Sequence, residues 1–198
     1  MDIVARTQGI LLKPKEEWDK IKGESLSVSQ MFTSYAAILA LIPPVCQFIG
    51  LSLIGRSIPI RGLTRYGFGR SLLYAIFLYL LSLVSVYVLG LIINALAPTF
   101  SSKQNQENAM KIAVFSMTPV WVAGVFYLIP FLGWLAVLGS LYGIYLIYLG
   151  FNSTMMDTPA DKVVGYVVIS IIVAVIIMVV VWAVLGAIFL VGAVGRIY

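Results

Sequence analysis

The chain has 198 residues, of which 61% are hydrophobic and 11% are charged, and its formal net charge is +5. A soluble globular domain carries about 25% charged residues, so this composition excludes an ordinary water-soluble domain. It also excludes nucleic-acid binding, which would need a basic face on a soluble module. We therefore expect an integral membrane protein whose basic residues, clustered outside the apolar runs, meet anionic lipid head groups.

Cysteine and histidine usage limits the chemistry further. Cys46 is the single cysteine, which excludes an intrachain disulfide, and the chain has no histidine. Histidine is the commonest general base and a frequent transition-metal ligand. There is no GxSxG nucleophile motif, and a carboxylate enzyme acting on lipid could use only acids near the membrane edges. We predict a protein that is not an enzyme and binds no metal or cofactor.

The N-terminal segment 1–30 predicts a short amphipathic helix that lies at the membrane interface. Pro14 opens a run of lysines and acids in which Trp18 and Ile21 share one side. Lysine and tryptophan suit the depth of the lipid head groups. We expect Trp18 to contact lipid there. The alternative is a charged, frayed tail with two anchoring side chains.

Four uncharged runs follow, and the third is long enough for two spans with a Pro-Gly turn between them. A bilayer span needs about 20 mostly apolar residues, and the runs lack the alternation of barrel strands. The sequence therefore predicts one all-α integral membrane domain, 1–198, with five transmembrane helices plus the N-terminal interfacial helix. The predicted spans are about 31–54, 72–97, 111–130, 134–155 and 160–190.

Two helix starts carry capping signals. Ser27 and Gln30 have the spacing of a capping box, in which each side chain satisfies a backbone N–H of the first turn. Thr158 precedes Pro159 and Asp161, which suits a cap, a first helical position and the positive end of a helix dipole. We predict that Ser27 opens the first span and that Thr158 opens the fifth.

Pro43 and Pro44 leave two topologies open, because consecutive prolines kink or break a helix. A kinked full span puts eight Lys and Arg on the N-terminal side of the membrane and five on the other. A re-entrant hairpin over 31–55 changes this count to ten against three. Both counts predict a cytoplasmic N terminus by the positive-inside rule, and the length of the run favours the full span.

The segment 56–70 is the candidate site for lipid head groups. It contains Arg56, Arg61, Arg65 and Arg70, with interleaved aromatic residues and glycines and no acid. Guanidinium groups bind phosphate through two parallel hydrogen bonds. We predict that these arginines recognise phosphate-bearing head groups. The alternative is that they only snorkel to the interface.

A few polar and small residues stand out inside the spans. Gln47 and Asn94 carry amides, which need hydrogen-bond partners in lipid, and interhelical bonds are their simplest explanation. Gly139, Gly143 and Gly150 form a small face on the fourth span. Small faces let helices approach closely, and we expect this one to pack within the subunit rather than in a dimer.

Five segments are distinctive as a set. They are ILLKPKEEWDKI at 10–21, LGLIINALAP at 89–98, SMTPVW at 116–121, LYGIYLIYLG at 141–150 and DKVVGY at 161–166. Together they resemble the prokaryotic branch of the Yip-one (Ypt/Rab-interacting protein) family. The resemblance implies a five-span bundle with a cytoplasmic N terminus in a prokaryotic cytoplasmic membrane. Eukaryotic relatives are implicated in vesicle traffic and in binding prenylated GTPases, but this chain lacks their long N-terminal domain and Asp-Leu-x-Gly-Pro-type motif.

Two functions remain open at this point. The first is a non-enzymatic membrane protein that binds membrane lipids, a protein partner or a second copy of itself, and acts in membrane organisation or trafficking. The second is a channel or transporter for a small or neutral solute, lined by Pro43, Pro44, Gln47, Asn94 and Ser116 and by the tyrosines of the fourth span. A continuous polar cavity would favour the second function, and a filled apolar core would favour the first.

Overall fold

The computed structural model describes residues 2–58, 62–64, 67–152 and 155–194. Most of them are helical, and five helical segments are long and apolar enough to cross a membrane. Spans 1 to 5 are Val28–Ile54, Phe68–Phe100, Gln106–Leu128, Pro130–Asn152 and Val163–Val181, and the helix of span 5 continues to Val194. The prediction of an all-α, five-span membrane protein is confirmed.

The N-terminal segment forms two helices where one was expected, α1 (Ile3–Leu12) and α2 (Pro14–Gly23). The carboxylate of Asp2 accepts hydrogen bonds from the first turn of α1. Pro14 starts a new helix because it has no backbone N–H to donate to α1, and the first helical position tolerates that loss.

Span 1 is helical apart from a turn at Ala40 and Leu41, so the structure has the kinked full span and not the re-entrant hairpin. Ser27 and Gln30 form the expected capping box at its start. The α-helical turns of Val28–Met31, Ala37–Leu39 and Ile42–Ile49 alternate with π-helical turns at Phe32–Ala36 and Gly50–Ile54. Pro43 falls in the first turn of Ile42–Ile49, where its missing N–H disrupts the helix least.

A short hairpin, not expected from the sequence, connects spans 1 and 2. Strand β1 (Arg56–Ile58) pairs antiparallel with β2 (Gly62–Thr64), and Ser57 lies opposite Leu63. Gly55 enters this hairpin with a φ of 86°, a left-handed conformation that glycine adopts without steric cost.

Span 3 is the central helix of the bundle. In its most apolar stretch 72% of the residues are buried inside the protein, against 22–33% in the other four spans. Pro119 and the 3-10 turn Gly124–Leu128 interrupt it. The other spans therefore surround span 3 and turn most of their apolar surface outward, as a bundle in lipid requires.

The two ends of the bundle differ. At one end, the cap end, lie α1, α2 and the connections between spans 2 and 3 and between spans 4 and 5. There the N–H of Leu26 donates to the carboxylate of Glu107 over 2.9 Å, and that of Lys103 to the carbonyl of Met156 over 2.8 Å. At the other end, the loop end, lie the β-hairpin and the connection between spans 3 and 4.

The hydroxyls of Thr118 and Tyr35 compensate for the missing N–H of the proline in span 3. Pro119 has no N–H to donate to the carbonyl of Phe115, four residues earlier. The hydroxyl of Thr118 donates to this carbonyl instead, over 2.7 Å, and lies 2.8 Å from the hydroxyl of Tyr35 in span 1. A hydroxyl has one proton to give, so Tyr35 is the donor to Thr118.

Three further tyrosines serve other interrupted helices. In span 1 the N–H of Leu41 donates to the carbonyl of Ile38 and not to that of Ala37. The carbonyl of Ala37 accepts from the hydroxyl of Tyr79 instead, over 3.0 Å. Span 2 ends in the 3-10 turn Ala97–Phe100, which contains Pro98. The N–H of Ala97 donates to the carbonyl of Asn94, and the carbonyl of Ile93 accepts from Tyr166. The carbonyl of Leu11, at the end of α1, accepts from Tyr142 over 3.0 Å. Each bond joins two elements and satisfies a carbonyl that its own helix leaves unpaired.

Candidate functional site at the cap end and a cavity between the spans

Trp18 lies inside the protein, not in the lipid interface. Its side chain is 1% exposed, and its ring meets that of Phe115 edge-on with 6.5 Å between centroids. A Cβ at Gly150 would lie 3.2 Å from the Trp18 ring. The structure thus corrects the predicted lipid contact of Trp18, because α2 folds over the ends of spans 3 and 4, and a glycine leaves room for the indole there.

Arg6 is the centre of a buried ion network that the sequence did not indicate. Its guanidinium donates to the carboxylate of Glu17 over 2.7 Å and to both carboxylate oxygens of Glu24 over 2.5 and 2.6 Å. It also stands 5.6 Å from the centre of the Phe115 ring. A buried charge is tolerated only when it is paired, so Arg6 fixes α1 to α2 and to the segment that enters span 1.

Lys111 links the same segment to span 3. It is 2% exposed, and its ammonium donates to the backbone carbonyl of Glu24 over 2.5 Å and pairs with Glu107 over 3.0 Å. Glu107 also accepts from the N–H of Leu26. These charged groups pair with one another, and the pairs hold α1 and α2 on the bundle. Among the described residues, no group of three or more His, Cys, Asp or Glu side chains could hold a metal ion.

The two span amides lie in different places. The side-chain amide of Asn94, at the cap end, donates to the side-chain oxygen of Gln106 over 2.9 Å. The backbone carbonyl of Asn94 accepts from the side chain of Gln104 over 3.3 Å. It therefore fastens the end of span 2 to the start of span 3. Gln47 lies far from it, in the wall of a cavity between the spans.

The three glycines of span 4 face span 3 within the chain. A Cβ at Gly139 would lie 2.5 Å from the carbonyl oxygen of Pro119, and one at Gly143 would lie 3.1 Å from that of Ser116. Gly150 faces Ile112 as well as the indole of α2. The backbones of the two spans approach closely along this face.

Four arginines belong to the segment 56–70 that connects spans 1 and 2 in the sequence. Arg70 is exposed in the first turn of span 2. Arg56 is described only as a residue of β1, and Arg61 and Arg65 lie outside the described residues. Head-group binding by these four side chains stays a prediction.

A cavity of about 200 Å³ lies between spans 1, 2, 3 and 5. Its wall is mostly aliphatic, and the polar side chains that reach it are Gln47, Ser82, Ser85, Trp121 and Tyr127. Pro43 and Pro44 line it as well, so the kink of span 1 helps to form it. Of the residues predicted to line a solute pathway, Pro43, Pro44 and Gln47 lie in the wall of this cavity, whereas Asn94 and Ser116 do not.

A column of aromatic rings connects the cap end with this cavity. From Trp18 the contacts run to Phe115, on to Tyr35 with 5.0 Å between centroids, and from Tyr35 to Trp121 with 6.5 Å. The four residues come from α2, span 1 and span 3. The space between the cap end and the cavity is filled by these rings and their apolar neighbours.

Comparison with known proteins agrees with this architecture. The sequence model of the Yip1 domain matches residues 9–194. The inner membrane protein YohC of Escherichia coli strain K12 is 28% identical over 148 residues, which are 73% of this chain and 76% of that protein. The protein of the same name from Escherichia coli O6:H1 matches equally. No solved structure matches. The family match spans all five helices, and the chain therefore belongs to the Yip1 domain family of multi-pass membrane proteins.

Proposed function

We propose that this Yip1-domain protein is a non-enzymatic membrane protein that binds bilayer lipids, and that the arginines of its loop end bind anionic head groups. The observation that carries the proposal is that the basic and acidic residues of the cap end cancel, whereas the arginines of 56–70 have no acid beside them in the sequence. A role in membrane organisation follows from such binding.

The cap end contains eight of the thirteen Lys and Arg residues and all eight Asp and Glu residues, so its formal charge is zero. The other five basic residues are arginines, four in the segment 56–70 that connects spans 1 and 2 and one at 196, and no acid stands near them in the sequence. These five arginines account for the whole net charge of +5. Anionic lipids attract such a cluster, and guanidinium matches the geometry of phosphate.

The packing of span 3 supports binding over conduction. Ile112, Ala113, Val114 and Phe115 are fully buried, and Tyr35 fills the space beside them. The bundle is thus packed with apolar side chains between the cavity and the cap end. The outward apolar surface of the other spans offers contact to acyl chains, to a partner protein or to a second copy.

The test is lipid retention in nanodiscs that contain phosphatidylcholine and phosphatidylglycerol in equal amounts. Native mass spectrometry counts the lipids of each class that stay bound after release of the protein. We expect phosphatidylglycerol to be enriched severalfold. Replacement of Arg56, Arg61, Arg65 and Arg70 by Gln should abolish the enrichment.

The matched control replaces four lysines of the cap end, Lys13, Lys15, Lys22 and Lys103, by Gln. This variant loses as much charge as the arginine variant and should keep the enrichment. Equal retention of both lipids by the unmodified protein would contradict the proposal, and so would equal losses in the two variants. Copurification of a stoichiometric protein without lipid preference would point to a protein partner.

A further inference from the structure

The cavity between the spans contains polar groups without protein partners. Trp121 is 1% exposed, and its indole N–H has no acceptor among the described residues. The side-chain amide of Gln47 and the hydroxyl of Ser82 also have no hydrogen bond within the described part of the chain. All three side chains line the same cavity.

Such groups are costly at this depth. Gln47 stands seven residues before the end of span 1, and Trp121 stands seven residues before the end of span 3. At 1.5 Å per residue, both lie about 10 Å inside the loop end, within the hydrocarbon. An unsatisfied amide or indole N–H there costs several kcal/mol unless something supplies a partner.

The cavity differs in this respect from other unpaired groups of the bundle. The hydroxyls of Ser71, Ser116 and Ser170 and the indole of Trp18 are buried without a partner too. None of these side chains is part of the cavity wall. A serine in a helix can also turn its hydroxyl to a carbonyl of its own preceding turn. Gln47 and Trp121 instead meet at one space large enough for a ligand.

The lining defines the chemistry of the occupant. Among the described residues, no carboxylate or basic side chain reaches the cavity, so the occupant is neutral. The wall is mostly aliphatic, which suits a hydrocarbon chain. The indole of Trp121 can only donate, so the occupant has an oxygen that accepts, and the amide of Gln47 can either donate to this oxygen or accept from a hydroxyl.

The volume of the cavity limits the size of the occupant. A dry cavity of about 150 Å³ accepts benzene, so about 200 Å³ holds one small polar group with the first carbons of a chain and not a whole phospholipid. We propose that the cavity binds the oxygen-bearing end of a neutral single-chain lipid, such as a long-chain alcohol, whose remaining chain extends into the bilayer. Gln47 and Trp121 provide its hydrogen bonds.

Fluorescence quenching of Trp121 tests this proposal. In phosphatidylcholine nanodiscs, the variant W134F/W182F keeps Trp121 and the distant Trp18 as emitters. The probe is 2-bromododecan-1-ol, whose bromine lies beside the hydroxyl, and 2-bromododecane is the matched hydrocarbon. We expect saturable quenching by the alcohol at an apparent Kd at least fivefold below that of the hydrocarbon. The same protein with Trp121→Phe gives the background from Trp18.

Two cavity variants and one control refine the test. Gln47→Leu keeps the size of the side chain and should weaken alcohol binding about fivefold, the effect of one neutral hydrogen bond, without changing the binding of the hydrocarbon. Ser82→Leu fills the cavity and should weaken both ligands. Val84→Leu, on the outward face of the same helix, should change neither.

Equal quenching by the alcohol and the hydrocarbon in the unmodified cavity would overturn the proposal, and this result needs no cavity variant to fold. An alcohol preference that is undiminished in Gln47→Leu would overturn the role of the amide. The proposed head-group site is tested separately, because the variant without the four arginines should still bind the alcohol. Loss of anionic-lipid enrichment with retained alcohol binding, or the reverse, identifies which proposal fails.

Discussion

The hydroxyl of Tyr35 donates to the hydroxyl of Thr118 over 2.8 Å and thereby ties span 1 to the kink of span 3. The hydroxyl of Thr118 in turn donates to the carbonyl of Phe115, which Pro119 leaves without a donor. The central span thus satisfies its own unpaired carbonyl through Thr118, and a neighbouring helix supplies the donor to Thr118. Because this pair also touches the ring of Phe115, it lies midway between the cap end and the cavity.

Tyr35→Phe should reduce the free energy of unfolding by about 1–2 kcal/mol, because it removes one buried hydrogen bond and keeps the ring. Tyr148→Phe, on the outward face of span 4, should change it by less than about 0.5 kcal/mol. Unfolding in mixed micelles of increasing SDS content measures both. Equal effects of the two variants would contradict the assigned bond.

A double-mutant cycle with Thr118→Val separates this bond from other effects of the two substitutions. We expect a coupling energy of about 1 kcal/mol between positions 35 and 118, within the range found for residues in contact. Thr118→Val alone should cost more than Tyr35→Phe, because it also leaves the carbonyl of Phe115 without a donor. Additive effects would show that the hydroxyls do not interact.

Trp18→Ala should destabilise the protein strongly, since removal of a buried tryptophan costs about 3–5 kcal/mol. The corresponding change at Trp134, which is 64% exposed, should have little effect. Limited proteolysis from the cap-end side measures the release of α1 and α2. If Trp18→Ala leaves the N-terminal segment as resistant as before, the indole is not what holds α2 on the bundle.

Arg6→Met should cost up to about 3–5 kcal/mol, because the buried Glu17 then keeps only its ion pair with the exposed Lys20. Lys13→Met removes a charge from an exposed pair with Glu16 and should be nearly neutral. Hydrogen exchange of α1 and α2 reports the difference. Replacing Arg6 and Glu17 together by Met should restore part of the lost protection, and a still larger loss would show that the buried pair contributes more than apolar packing can.

Local signals in the sequence predicted the helices, whereas contacts between residues far apart in the chain determined how the helices and their side chains pack. The spans followed from apolar runs, and the capping box of Ser27 lies within one turn, so both were predictable. Trp18 was misplaced because its partner Gly150 is far along the chain. The predicted cap at Thr158 was wrong as well, because its hydroxyl accepts from Ser102 over 2.9 Å and span 5 begins only at Val163.

The cavity and the tyrosine bonds were beyond sequence reasoning for a related reason. In a bundle that is apolar all round, composition does not tell which face of a span turns inward. Gln47 was identified as a residue that needs a partner, but its neighbour Trp121 belongs to another span. The rotation of each helix, which brings such residues together, depends on contacts such as that of Gly139 with Pro119.

Gly139→Ala should destabilise the bundle by several kcal/mol, because its Cβ would lie 2.5 Å from the carbonyl oxygen of Pro119 and a backbone atom cannot move aside alone. Gly186→Ala is the control within a transmembrane helix, since a Cβ there meets nothing within 4 Å among the described residues. It should be neutral or slightly stabilising through its higher helix propensity. Thermal unfolding in detergent compares the two. Equal stability would mean that spans 3 and 4 separate easily at this contact.

Cysteine accessibility in intact cells tests the orientation of the bundle. With Cys46 replaced by Ala, single cysteines are placed at Ser57 in the loop-end hairpin and at Gln104, which is exposed at the cap end. Because span 1 is a full span, a membrane-impermeant thiol reagent should reach one position and not the other. The positive-inside rule gives the cap end to the cytoplasm, so we expect labelling at 57 and protection at 104.

The opposite pattern would keep the five spans but turn the acid-free arginines toward the cytoplasm, against the count of basic residues. Labelling at both positions in intact cells would contradict the alternation of five full spans, because residues 57 and 104 are separated by span 2 alone. Permeabilised cells provide the control, since both cysteines should react there. The expected pattern would place the arginines at the outer leaflet, and the anionic lipids tested above must then be supplied on that side.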